Sequence, residues 1–198
     1  MAEQLAILIE PYVTGTLNCF SGQTNVNLNS RVICFDLSEL SEAMWDAGMT
    51  VVMDTIRNRL ISNHYLGKPT FIKIDEVGRY LDNNYLAKVF EDFYAEVRKY
   101  GGYITGIIQN ANKLLKNDRA RNMVSNSEIV VMLRQSELDA AELKYTFGLS
   151  KTQVNNLLHA EEGCGLFKCG NQFINFDGKI EKGYIYDLIN TKPEHEMY

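Results

Sequence analysis

The sequence predicts an α/β fold: three layers, with a mostly parallel sheet flanked by helices and a β-hairpin near the C-terminus. Three observations lead there. Short β-branched and aromatic runs recur between longer stretches of helical periodicity. Only three prolines, Pro11, Pro69 and Pro193, interrupt the 198 residues, so long regular elements are expected between them. Two of the apolar runs also end in polar side chains, Asp75-Glu76 and Gln109-Asn110, and parallel sheets place their chemistry at the carboxyl ends of strands.

Taken in order, the chain opens with a short helix near Leu5 to Tyr12 and a polar loop from Ser21 to Ser30. Arg31 to Asp36 suits a strand by composition. From Glu39 the period changes, and Leu40, Ala43, Met44, Ala47, Val51, Ile56 and Leu60 mark a helical face reaching about Asn63, with Asp36 and Glu39 spaced to cap its start. Gly67-Lys68-Pro69 breaks that helix before the strand Thr70–Ile74. A helix from about Asn83 to Tyr100 follows, its apolar face carried by Leu86, Val89, Phe90, Phe93 and Val97, and Gly101-Gly102 ends it. Tyr103–Ile108 is the next strand, expected to pair in parallel with Phe71–Ile74. Helical turns over Ala111–Leu115 lead to a strand at Glu128–Leu133, which must close against Tyr103–Ile108 or leave edges needing cover. Helices near Glu137–Tyr145 and Lys151–His159 and a hairpin within Gly165–Phe176 complete the pattern.

Composition bounds the function classes. Hydrophobic residues are 45% and charged residues 23%, ordinary for a globular chain, and the length suits a single domain over residues 1–198. A net charge of −5 excludes a global basic field that would hold DNA or acidic membranes non-specifically. No stretch approaches the roughly 20 apolar residues of a membrane span. Met1-Ala2-Glu3-Gln4 lacks the basic region of a secretory signal, so a cytoplasmic location is expected. Cys164 and Cys169 resemble half of a zinc site, but no second pair matches their spacing; reduced, inert thiols are expected for all four cysteines.

The chemistry concentrates on Asp75-Glu76. Two adjacent carboxylates at a strand end serve nucleoside triphosphate hydrolysis, the first helping to hold Mg²⁺ and the second polarising the attacking water. Gln109, at the equivalent edge of the next strand, offers an amide to a phosphate oxygen or to that water. Arg98 lies just before this strand, where a guanidinium can reach a neighbouring subunit's nucleotide site. The companion Gly-x-x-x-x-Gly-Lys-Ser/Thr loop is not found: Gly67-Lys68 is followed by Pro69, and Gly178-Lys179 by Ile180.

Together the motifs resemble the conjugation ATPases that energise type IV secretion, hexameric P-loop motors, most closely the DNA-transfer ATPases of Gram-positive integrative conjugative elements. The resemblance spans about Phe35 to Pro193. It rests on Phe35-Asp36-Leu37, Ile74-Asp75-Glu76, Arg98 to Gly102, Thr105 to Asn110, Asn126-Ser127, Met132 to Gln135, Gly163 to Gly165 and Thr191-Lys192-Pro193. It implies a partial RecA-like P-loop NTPase core in which Asp75 is the Walker B aspartate on the metal and Glu76 the catalytic glutamate. Gln109 is then the sensor glutamine and Arg98 an arginine finger. Family members are several times longer and carry the phosphate loop (Walker A) upstream of the matching segment. The implied cofactors, Mg and ATP, therefore belong to the complete parent protein, and none is expected on this chain alone. The implied partners are the N-terminal half of the ATPase, further copies in a hexamer, and conjugation or secretion machinery at the inner face of the membrane.

A second reading comes from another class. Residues 138–158 mimic a helix-turn-helix in which Ser150 caps the second helix and Lys151, Thr152, Gln153 and Asn155 face base edges, so a non-catalytic DNA-binding or interaction module is the alternative.

Overall fold

The computed structural model describes residues 2–189 apart from Thr16, Thr24 and Asp82. The Thr191-Lys192-Pro193 match lies outside the described residues. The chain divides into two compact units, Met1–Lys68 and Pro69–Tyr198.

In the first unit, α1 (Ala2–Val13) occupies the place expected for the opening helix, and α2 (Glu42–Tyr65) is the long one. The buried face of α2 is set by Met49, Met53 and Leu60, with Ile56 half-buried. These positions follow a heptad-like spacing rather than the stripe expected through Val51, which is 46% exposed. Two expectations fail here. Arg31–Asp36 forms no strand: its β-prone side chains have no partner strand among the described residues, and Val32 is 82% exposed. β-propensity describes fit to a sheet and cannot replace one. Nor does Asp36 cap α2. Its carboxylate accepts the Ser38 N–H at 2.9 Å in a local turn, and Ser41 takes the N-cap position. Those bonds from Ser38 lower the Asp36 pKa.

The second unit begins with β1 (Thr70–Ile74), in which Ile72 and Ile74 are buried while Phe71 and Lys73 face out. The short helix α3 (Val77–Tyr80) leads to α4 (Asn84–Glu96), whose N-cap Asn83 accepts the amides of Tyr85 and Leu86. Leu86, Phe90 and Phe93, continued by Val97, form the buried stripe of α4 at the expected spacing. A 3-10 turn, Val97–Tyr100, tightens the end of this segment. Gly101 then adopts φ 67°, a conformation costly for any residue with a Cβ, and turns the chain into β2 (Gly102–Gly106). β1 and β2 pair in parallel from Thr70↔Gly102 to Ile74↔Gly106, as expected.

After β2 come α5 (Ala111–Leu115) and α6 (Asp118–Ser125), the latter not anticipated from the sequence. β3 (Ile129–Leu133) does not close against β2. It pairs antiparallel with β4 (Cys164–Cys169), which pairs antiparallel with β5 (Gln172–Asp177), the expected hairpin. Among the described residues the strands therefore form two sheets, β1-β2 and β3-β4-β5. The helix pair α7 (Glu137–Phe147) and α8 (Lys151–Leu158) joins β3 to β4, and a short α9 (Tyr184–Ile189) follows β5. Leu115, Met132, Leu143, Leu149, Leu157 and Leu166 form the core between the helix pair and the second sheet. Among the described residues no helix is long and apolar enough to cross a membrane.

Candidate functional site

Parallel pairing brings the carboxyl ends of β1 and β2 side by side. The ladder continues beyond the strands proper: the Ile107 N–H donates to the Ile74 carbonyl at 2.9 Å, and the Val77 N–H donates to Ile107 at 3.2 Å. The residues that follow, Asp75-Glu76 on one side and Gln109 on the other, are thus held as neighbours although 33 positions separate Glu76 from Gln109. The amide of Gln109 donates from Nε2 to Oε1 of Glu76 at 2.9 Å. The sequence places both residues at strand ends; their direct hydrogen bond is not among its expectations.

The backbone at Glu76 is unusual. It lies at φ 50°, ψ 41°, the left-handed region, and among the described residues no other non-glycine residue has positive φ. Such a conformation costs about 1–2 kcal/mol and persists because its surroundings over-determine it. The Glu76 N–H donates to Oδ1 of Asp75 at 2.9 Å, and its carbonyl accepts the Arg79 N–H at 2.9 Å, which starts α3. The turn thereby directs both carboxylates outward, and both residues are exposed.

Beside this pair lies an open cleft of about 240 Å³. Glu76 and Gln109 form one wall, Leu81 and Leu114 are buried beneath it, and Arg79 and Lys113 contribute cationic side chains. The sequence reading missed Arg79 and Lys113. A signal existed: each stands three or four residues after a predicted site residue, the spacing that returns a helical side chain to the same face. Tyr80, next to Arg79 in α3, stacks on Phe90 with ring centroids 5.7 Å apart. Burial pushes its phenol above the ordinary range, Arg79 pulls it down, and the charges of Glu76 and Asp75 push it up.

Arg98 lies elsewhere. It precedes β2 whereas Gln109 follows it, so the length of the five-residue strand, roughly 17 Å at ~3.3 Å per residue, separates the two. It is exposed and does not join Glu76, Gln109 and Asp75. The cysteine pair is likewise kept apart, Cys164 and Cys169 standing at opposite ends of β4.

The α7–α8 pair adopts the expected helix-turn-helix outline, with Gly148 at φ 66° in the turn and Ser150 capping α8. One assigned base-reading side chain is not available, however. Oε1 of Gln153 accepts the Ser150 N–H at 2.8 Å while Oγ of Ser150 accepts the Gln153 N–H at 3.2 Å, closing a capping box. Leu143, Leu149 and Leu157 are committed to the core of the second sheet. The unit packs; its first turn carries Glu137 and Asp139, charges that repel a phosphate backbone.

The structure of VirB4 of Thermoanaerobacter pseudethanolicus superposes on this chain with a TM-score of 0.78, at 22% sequence identity, over 90% of this chain and 50% of that chain. The two share a fold. The chain spans about half the length of the VirB4 it matches. No family model matches the sequence, and no curated protein matches it.

Proposed function

We propose that this chain is the hydrolysis half of a P-loop ATPase motor of the conjugation and type IV secretion class. The observation that carries the reading is the hydrogen bond between Gln109 and Glu76 across the ends of two parallel strands. Adjacent carboxylates and a facing amide at that edge are the set needed to hold a metal, activate water and sense a phosphate. The shared fold with VirB4 supports the class.

In this reading Asp75 holds Mg²⁺. A single exposed carboxylate fits an ion that keeps most of its waters. Bound there with ATP, the ion supplies charge neutralisation on the phosphates. Glu76 orients the attacking water and takes its proton, and Gln109 sets the direction of the Glu76 carboxylate. The phosphate cradle comes from the N-terminal half of the motor, which the open edges of β2 and β3 accommodate. Arg98 acts on the site of a neighbouring copy in a hexamer, because its own site is a strand length away. The motor works with secretion machinery at the membrane, DNA being the transported substrate in the conjugative case.

The test uses a longer chain that carries a phosphate loop. Glu76→Gln keeps ATP binding and loses about 10²–10⁴-fold in turnover, because an amide cannot serve as a base. Asp75→Asn weakens the Mg²⁺ site instead, so that more Mg²⁺ is needed for turnover. Equal turnover in Glu76→Gln and the parent rejects the assignment.

A further inference from the structure

We propose that Asp139 is a positioning residue for Gln109, tying the glutamine loop to the second sheet layer. The proposal builds on the reading of Gln109 above, but its geometry stands apart from any nucleotide chemistry.

Gln109 lies in a short connection with one anchor on each side. Upstream, the last ladder bond fixes Ile107 to β1. Downstream, the first element is α5, only five residues long. A helix of one turn and a half does not hold itself in water. Its own N-cap residue, Asn110, makes no side-chain cap. The missing acceptor comes instead from 27 residues further along the chain: Oδ1 of Asp139, in the first turn of α7, accepts the Asn112 N–H at 2.8 Å. The other end of α5 is held too, by Arg121, which donates from Nη2 to the Leu115 carbonyl at 2.7 Å.

Asp139 is itself held in place for this task. Ser136 caps α7, and its hydroxyl donates to Oδ2 of Asp139 at 2.5 Å while accepting the Asp139 N–H at 3.2 Å. In the usual box an acidic residue at this position returns to the backbone of its own cap. Here the carboxylate is turned outward to a different helix. The consequence is mechanical. No strand pairing joins β2 to β3 among the described residues. The Asp139 bond to α5, beside the shared core of Leu115 and Leu143, therefore ties the connection bearing Gln109 to the helix pair that rides on the second sheet. A displacement of α7 draws on α5, and through it on the residue that aims Glu76.

The experiment uses the chain itself, labelled with ¹⁵N. Asp139→Ala removes the acceptor. Asp139→Asn keeps an oxygen at the same place, and asparagine caps as well as aspartate does. In Asp139→Ala, exchange of the Asn112 amide is expected to rise about tenfold. The Gln109 side-chain NH₂ resonances should also move toward those of a free amide as the bond to Glu76 loosens. In Asp139→Asn both signals stay near those of the parent. Ser136→Ala, which frees the carboxylate with little change in packing, gives a smaller change of the same sign and serves if the alanine variant does not fold. Gln109 resonances unmoved in Asp139→Ala while Asn112 exchanges faster would falsify the proposal, as would an asparagine variant that behaves like alanine. A longer, nucleotide-binding protein with no turnover would count against the motor reading and leave this one standing.

Discussion

Gly106 closes β2 three residues before Gln109, and its lack of a side chain is demanded by space rather than by backbone angle. A Cβ built there comes 2.4 Å from the hydroxyl oxygen of Tyr94 and 3.0 Å from Cγ2 of Val77. Ordinary contact needs about 3.5 Å, so the Tyr94 ring must retreat by roughly 1 Å. Tyr94 is half-buried on α4, the helix whose Phe90 and Phe93 are at most 1% exposed, and burial pushes its phenol pKa up to about 12. Gly106→Ala therefore overpacks a close-packed region at a cost of about 2 kcal/mol. At about 2–4 °C per kcal/mol for a chain of this size, Tm falls by about 4–8 °C. The structure also supplies the rescue. Cζ of Tyr94 lies 3.7 Å from the added carbon, an ordinary contact, so Tyr94→Phe removes the main clash and leaves only Val77 to yield. A double-mutant cycle followed by thermal denaturation should return more than half of the lost stability. An unchanged Tm in Gly106→Ala, or a double mutant no better than the single, refutes the steric argument.

Arg98→Ala in a longer, ring-forming protein should lose about 10³–10⁵-fold in turnover with folding intact. Mixing it with Glu76→Gln should restore activity, and mixed rings with none would remove Arg98 from the interface role. Leu157, fully buried among Leu143, Leu149 and Leu166, should cost about 2–5 kcal/mol on change to alanine, read by denaturant unfolding. At Cys164, burial and the hydrogen bond that its thiol donates to the Asp177 carboxylate raise the thiol pKa, so less thiolate is present at mildly alkaline pH than for an ordinary thiol. The pH midpoint of its alkylation should accordingly lie higher, and Asp177→Asn should bring it down; a midpoint that does not move excludes Asp177 as a cause.

Much of the site was legible because its residues act at the ends of strands, and strand ends follow from local composition. Ile72 and Ile74 alternate with exposed neighbours, Gly101 must take a left-handed angle, and the stripe of α4 repeats at helical spacing, so β1, α4 and β2 follow from the sequence with their carboxyl ends bearing Asp75, Glu76 and Gln109. What tertiary structure decided depends on partners distant along the chain. Arg31–Asp36 carries β-prone residues but meets no strand, and so forms none. β3 was expected either to close on β2 or to leave an edge, and it left one. Its partner is β4, where Gly165 opposite Leu133 lets the Met132 carbonyl come within 2.1 Å of where a Cβ would stand. The bonds from the Gln109 amide to Glu76 and from the Asn112 N–H to Asp139 have no local signature, since each exists only when segments about 30 residues apart are brought together. Periodicity records what a residue does for its own element, whereas a contact between elements is recorded only by the folded chain.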